Sequence, residues 1–242
     1  MKYALQLYSV RDCISSGEDL LKVLEQVKAM GYEGVEFAGF FGLSAEVIRQ
    51  KLDELGLCCV GAHMSVESFE GEMLAETLKT AKTLGTGQIG VGGGTTSPEK
   101  ALQKLLDTFA NAARLAAEQG ITVYFHNHTS EFKPPRCSKN KTPIFERLME
   151  VCSVQLDTYW SYHAGIDTPA YIELHKDKIV TLHIKDGIKG KPTALGEGDN
   201  DIAAILKAGD KAGIEWAIVE NDEPVPTGLE DVARSMAYLK SL

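Results

Sequence analysis

The chain has 242 residues, 44% hydrophobic and 24% charged, the balance of an ordinary globular protein with enough length to bury one large core unaided. This excludes a disordered, collagenous or coiled-coil chain. The 25 Lys and Arg against 34 Asp and Glu give a net charge of −9, which repels phosphate backbones and anionic lipid, so neither nucleic acid nor a membrane is expected as a partner. No apolar run approaches the length of a bilayer-spanning helix. The N-terminus runs from Met1 and Lys2 straight into a strand pattern, so no signal peptide and a cytoplasmic location are expected. Five cysteines (Cys13, Cys58, Cys59, Cys137 and Cys152) show no C-x-x-C and no metal-finger spacing, and read as free thiols.

The first apolar run of strand length begins near Tyr3 and carries Gln6 near its end. Ser15 with Glu18 three residues on reads as a helix capping box, and Gly31 as the stop of that helix. The second strand begins at Gly34 and carries Glu36; the third begins at Cys58 and ends at His63. The fourth begins near Gln88. Gly85, Gly87 and Gly90 there fit G-x-G-x-x-G, but a dinucleotide fingerprint needs those glycines just after the first strand, so NAD binding is not expected. Gly92-Gly93-Gly94 at that strand's end suits either a close ligand approach or a flexible turn. Ser97-Pro98-Glu99 opens the next helix, with Pro at its first position, and Gly120 closes it. The fifth strand, from Ile121, ends in His126-Asn127-His128, with Glu131 just beyond. Thr142-Pro143 opens another helix. The sixth strand, from Ser153, ends at Asp157, followed by Tyr159, Trp160 and His163. Thr168-Pro169 opens a helix whose His175 reads as a surface residue. The seventh strand, from Ile179, carries His183, Lys185 and Asp186. Gly213 precedes the eighth, from Trp216, which ends in Glu220-Asn221-Asp222.

Eight such runs recur at intervals of 24 to 37 residues, with helical patterns between them and no linker. They have little alternation, as strands covered on both faces do. The pattern predicts one domain over residues 1–242, a single (β/α)8 TIM barrel, with an open doubly wound sheet as the alternative. In such a barrel chemistry sits at the carboxyl ends of the strands. The last four strands all end in His, Asp or Glu, which converge on one mouth. Uncompensated carboxylates there repel. A divalent cation removes the difficulty, and an oxygen-rich set with one His suits Mn²⁺, Mg²⁺ or Co²⁺, with Zn²⁺ a further candidate.

On these residues the chain resembles the xylose-isomerase-like barrel superfamily, in the group called sugar phosphate isomerases/epimerases. The resemblance is carried by His126-Asn127-His128 with Glu131-Phe132, by Leu156 to Trp160 with His163-Ala164-Gly165, by His183 to Asp186, by Gly196-Glu197-Gly198 and by Val219 to Asp222. It implies metal ligands Asp157, His183 and Glu220 and a fourth from the fifth strand. Many members have Glu-Asn-His there; this chain has His126 in that place and Glu131 downstream. Glu131 is the expected fourth ligand, with His126 as the competing choice. The resemblance further implies a divalent-metal-dependent isomerase or epimerase of a sugar, keto-sugar or sugar phosphate, working by proton abstraction through a metal-bound enediolate. Glu220 is the expected base, with Glu131 or His126 serving the opposite face. His63, His128, His163, Lys185 and Trp160 are expected to bind substrate. For Lys185 a salt bridge with Asp186 is the alternative, and for His163 simple packing.

Three rivals stand beside this reading: a dehydratase or lyase performing β-elimination on a keto-sugar or keto-glycoside, a metal-dependent endonuclease, and a non-catalytic sugar-binding barrel. Six histidines and a charge of −9 disfavour the endonuclease. The expected cofactor is a divalent metal, Mn²⁺ first, and the expected partner a small carbohydrate; a homo-oligomer is left open.

Overall fold

The apolar runs become strands in a computed structural model that describes residues 1–242. They are β1 (Lys2–Gln6), β2 (Gly34–Phe37), β3 (Cys58–Ala62), β4 (Gln88–Val91), β5 (Thr122–His126), β6 (Ser153–Asp157), β7 (Ile179–Ile184), a short hairpin of β8 (Asp186–Ile188) and β9 (Lys191–Thr193), and β10 (Trp216–Val219). The helices are α1 (Gly17–Met30), α2 (Ala45–Leu55), α3 (Met73–Leu84), α4 (Glu99–Ala117), α5 (Ile144–Val151), α6 (Thr158–His163), α7 (Thr168–Leu174), α8 (Ile202–Lys211) and α9 (Gly228–Leu239). The long strands pair in parallel in the order β3-β2-β1-β10-β7-β6-β5-β4, and a parallel bridge between His63 and Gly90 joins the two ends into a nearly closed TIM barrel.

Six of the eight barrel strands begin at the residue the sequence marks, and β1 and β5 begin one residue away. Helix starts differ more. The first cap is Ser16, whose hydroxyl accepts from the Asp19 amide; the neighbouring Ser15 instead donates to the Asp19 carboxylate. Pro98 and Pro143 stand one position ahead of their helices, as caps, while Pro169 lies inside the first turn of α7. The hairpin after β7 has no counterpart in the sequence reading.

Most apolar burial lies between the barrel and its helices, in clusters of 35 and 18 residues. Inside the barrel only a small plug of Ala4, Val60 and Ile218 is apolar. Above it the interior turns polar. Side chains alternate along a strand, so Tyr124 and His126 of β5, and Gln155 and Asp157 of β6, share the inner face. Tyr124 lies across the axis because β3 and β4 carry glycine opposite it. A Cβ on Gly90 would stand 2.3 Å from the Tyr124 ring, and one on Gly61 would stand 2.6 Å from its hydroxyl. Gly90 thus makes room for an aromatic ring in a barrel wall. No helix is long and apolar enough to cross a membrane.

Candidate active site

The ends of β5, β6, β7 and β10 bring their polar residues to one mouth. Asp157 closes β6 and caps α6: its Oδ1 accepts from the amides of Tyr159 and Trp160 at 3.0 and 2.8 Å. Its Oδ2 is buried, with the Lys185 ammonium 2.9 Å away and His126 Nε2 3.8 Å away. His183 and Lys185 lie two residues apart on one strand direction and so point the same way. His183 Nδ1 meets Glu220 Oε2 at 2.9 Å. Lys185 is fully buried; its ammonium lies 2.9 Å from Asp157, 2.7 Å from Glu220 and 2.7 Å from Asp222. Asp186 is not among its partners. That carboxylate points away from the barrel and accepts the amides of Gly187, Gly196, Gly198 and Asn200, which pins the segment following β7.

A cavity of about 430 Å³ opens above these groups, walled by His63, His126, His128, Glu220 and Asp222, with the half-exposed Tyr8 beside them. The sequence marks Asp222 only as part of the eighth strand's end and gives Tyr8 no signal; the stacking of Arg11 on the Tyr8 ring, at 4.0 Å, has no local signature. Trp160 stands behind Lys185, whose ammonium is 5.5 Å from its ring. His163 lies outside the cavity wall, stacked on Tyr159 beside the Gly190 turn of the hairpin.

Four residues offer ligand atoms within 4.8 Å of one another: His126, Asp157, His183 and Glu220. Glu131 is not among them. It is buried in the turn after β5, where one oxygen accepts from the His128 amide at 2.8 Å and the other from the hydroxyls of Ser130 and Thr96. Below the four lies Glu36, fully buried, a partner of His183 across the barrel.

The electrostatics follow from this crowding. Burial pushes Glu36 up, but His63, His183 and the Tyr124 hydroxyl outweigh it and hold the carboxyl at about 2. Burial pushes His183 down, and Glu220 and Glu36 overcome it, raising the ring to about 10. Burial, reinforced by His183, keeps His126 neutral, the form in which imidazole binds a metal. Glu36, Asp157, Glu220 and Asp222 set four carboxylates against two cations, the Lys185 ammonium and the His183 imidazolium, which leaves two negative charges over. A divalent cation offsets both. The neutral His126, the converging carboxylates of Asp157 and Glu220 and the excess charge fit such an ion, and these four residues could hold it.

A barrel with a histidine–carboxylate quartet at the carboxyl ends of its strands defines a class, the TIM barrels that gather ionisable groups at one mouth. Residues 24–242 match the family described as xylose isomerase-like TIM barrel, and the chain belongs to that family. No curated protein matches the chain. Among solved structures it is similar to a sugar phosphate isomerase/epimerase from Parabacteroides distasonis, with 22% identity, TM-score 0.86 and coverage of 100% of this chain and 96% of that one. It is also similar to a probable 3-DHS dehydratase from Bacillus anthracis, with 16% identity, TM-score 0.76 and coverage of 99% of each chain. A third is the IOLI protein with a bound zinc atom, with 16% identity, TM-score 0.74 and coverage of 100% and 97%.

Proposed function

We propose that this protein is a divalent-metal-dependent isomerase or epimerase of a small sugar or keto-sugar, acting by removal of the proton α to a carbonyl. The observation that carries the reading is the quartet of His126, Asp157, His183 and Glu220 beside an open cavity. His126 takes the fourth ligand position and Glu131 holds the turn beneath His128. Two imidazoles with two carboxylates suit Zn²⁺, Co²⁺ or Mn²⁺ better than Mg²⁺. The cation, when bound, supplies the Lewis acidity that makes the α-proton removable. Glu220 lines the cavity, and Lys185 and His183 hold it ionised against its own burial, so it is the base. His63 and His128 face the same cavity and return the proton from the other side. Lys185, steadied by Asp222, donates to the developing oxyanion.

A second reading, β-elimination from a keto-sugar or keto-glycoside, uses the same base. It is favoured by the three imidazoles on one cavity wall, which can supply an acid to a leaving oxygen. A panel of aldo- and keto-sugars in D₂O with Mn²⁺ or Zn²⁺ separates the two. Deuterium uptake at the α-carbon without loss of water supports the isomerase; loss of water or an aglycone supports the lyase. Absence of exchange with every sugar and metal sinks both. Elemental analysis of two variants tests the ligand set: His126→Ala should lose the metal, and Glu131→Ala should keep it.

A further inference from the structure

We infer that Glu36 is a positioning residue: acting through Gln155, it decides which nitrogen carries the proton on His63 and His126, and so which nitrogen each ring offers to the cavity.

Donors and acceptors fix the tautomers. An ionised carboxylate only accepts. Glu36 Oε1 is met by Gln155 Nε2 at 2.7 Å and by the Tyr124 hydroxyl. Its Oε2 is met by Gln6 Nε2 at 2.6 Å and by His183 Nε2 at 2.5 Å. All four groups therefore donate, and His183 carries a proton on Nε2. Its Nδ1 faces Glu220, a second ionised carboxylate that only accepts, so His183 donates from both nitrogens.

Gln155 passes the instruction on. Its amide nitrogen is spent on Glu36 and on Thr181 Oγ1 at 3.1 Å, so its oxygen must face the other way. There it meets His63 Nε2 at 2.8 Å and His126 Nδ1 at 3.1 Å. An amide oxygen only accepts, so His63 is protonated on Nε2 and His126 on Nδ1. The lone pairs are then His63 Nδ1 and His126 Nε2, the latter 3.8 Å from Asp157 Oδ2.

A separate contact agrees. Gln6 Oε1 accepts from the Tyr8 amide at 3.1 Å, which fixes the orientation of that amide. Its nitrogen then points a donor toward His63 Nδ1, at 3.5 Å, the atom assigned no proton. His63 and His126 thus present opposite nitrogens, Nδ1 and Nε2, from rings whose centroids are 5.5 Å apart. One buried carboxylate orders the network, and replacing it by an amide puts two N–H groups among four donors.

The test uses the full chain with ¹⁵N-labelled histidine. Long-range ¹H–¹⁵N spectra, with the six histidines assigned by single substitution, read the tautomers directly. The wild type should show His63 as Nε2–H and His126 as Nδ1–H; the opposite tautomer at either ring overturns the inference, whether or not any variant folds. In Glu36→Gln both rings should become tautomer mixtures. The Zn²⁺ dissociation constant by calorimetry should rise at least about tenfold, as with lost supports of metal ligands. Unchanged tautomers in that variant overturn the inference, even if Zn²⁺ affinity falls, since the role would then be structural. The Zn²⁺ measurement rests on the proposed function and the tautomer measurement does not. If the wild type binds no Zn²⁺, Mn²⁺ or Co²⁺, the metal reading fails and the spectra alone decide on Glu36.

Discussion

Lys185 shows what burial does to a single residue. Its ammonium is fully buried and held by Asp157, Glu220 and Asp222. Removing one partner of a buried ion pair costs about 3–5 kcal/mol because the other is left uncompensated. Lys185→Met is therefore expected to lower thermal stability by that order, and added Mn²⁺ or Zn²⁺ should recover much of the loss. Melting curves with and without the metal check this; a variant as stable as the wild type would contradict the charge balance drawn above. Asp157→Asn and Glu220→Gln should leave the circular dichroism unchanged while removing most of the metal and all turnover. Full metal content and activity in Asp157→Asn would remove the site assignment.

Elements show how local chemistry aims these residues. The Asp186 carboxylate gathers four backbone amides, so β8, β9 and the turn to Asn200 fold around one side chain. A hydrogen bond to a charged group contributes about 1.5–3 kcal/mol, and several are lost together in Asp186→Ala. Amide hydrogen exchange over residues 187–200 should accelerate in that variant, with the barrel strands still protected. Gly90→Ala tests the opposite effect. Its Cβ would meet the Tyr124 ring at 2.3 Å, and such overpacking costs about 1–3 kcal/mol. Denaturant titration should show that loss; a neutral substitution would mean that both the Tyr124 ring and its carbonyl, also 2.3 Å from that Cβ, can give way.

The whole molecule buries 93 of its residues, and most of the apolar ones lie in the shell between strands and helices. That core does not depend on the site at the mouth, so EDTA should abolish turnover without unfolding the chain. Restoring Zn²⁺ or Mn²⁺ to a hundred times its dissociation constant should add about 2.7 kcal/mol by mass action, seen as a rise in melting temperature. Unfolding by EDTA alone would show the metal to be part of the fold.

The barrel could be read from the chain because its signals are local. Apolar runs, positive-φ glycines such as Gly31 and Gly213, and residues such as Asp157 and Glu220 at strand ends need only their neighbours in sequence to be recognised. Which of those residues meet was not legible, because that depends on how strands far apart in the chain are staggered around the axis. Glu131 and His126 are five residues apart, yet one turns into a capping network and the other into the mouth. Lys185 and Asp186 are adjacent but face opposite sides of the backbone, so the sequence neighbour is not the charge partner. Glu36 finds His183 across 147 residues of sequence. Only the closed barrel, with glycine at 61 and 90 admitting Tyr124, brings that carboxylate beneath the histidines.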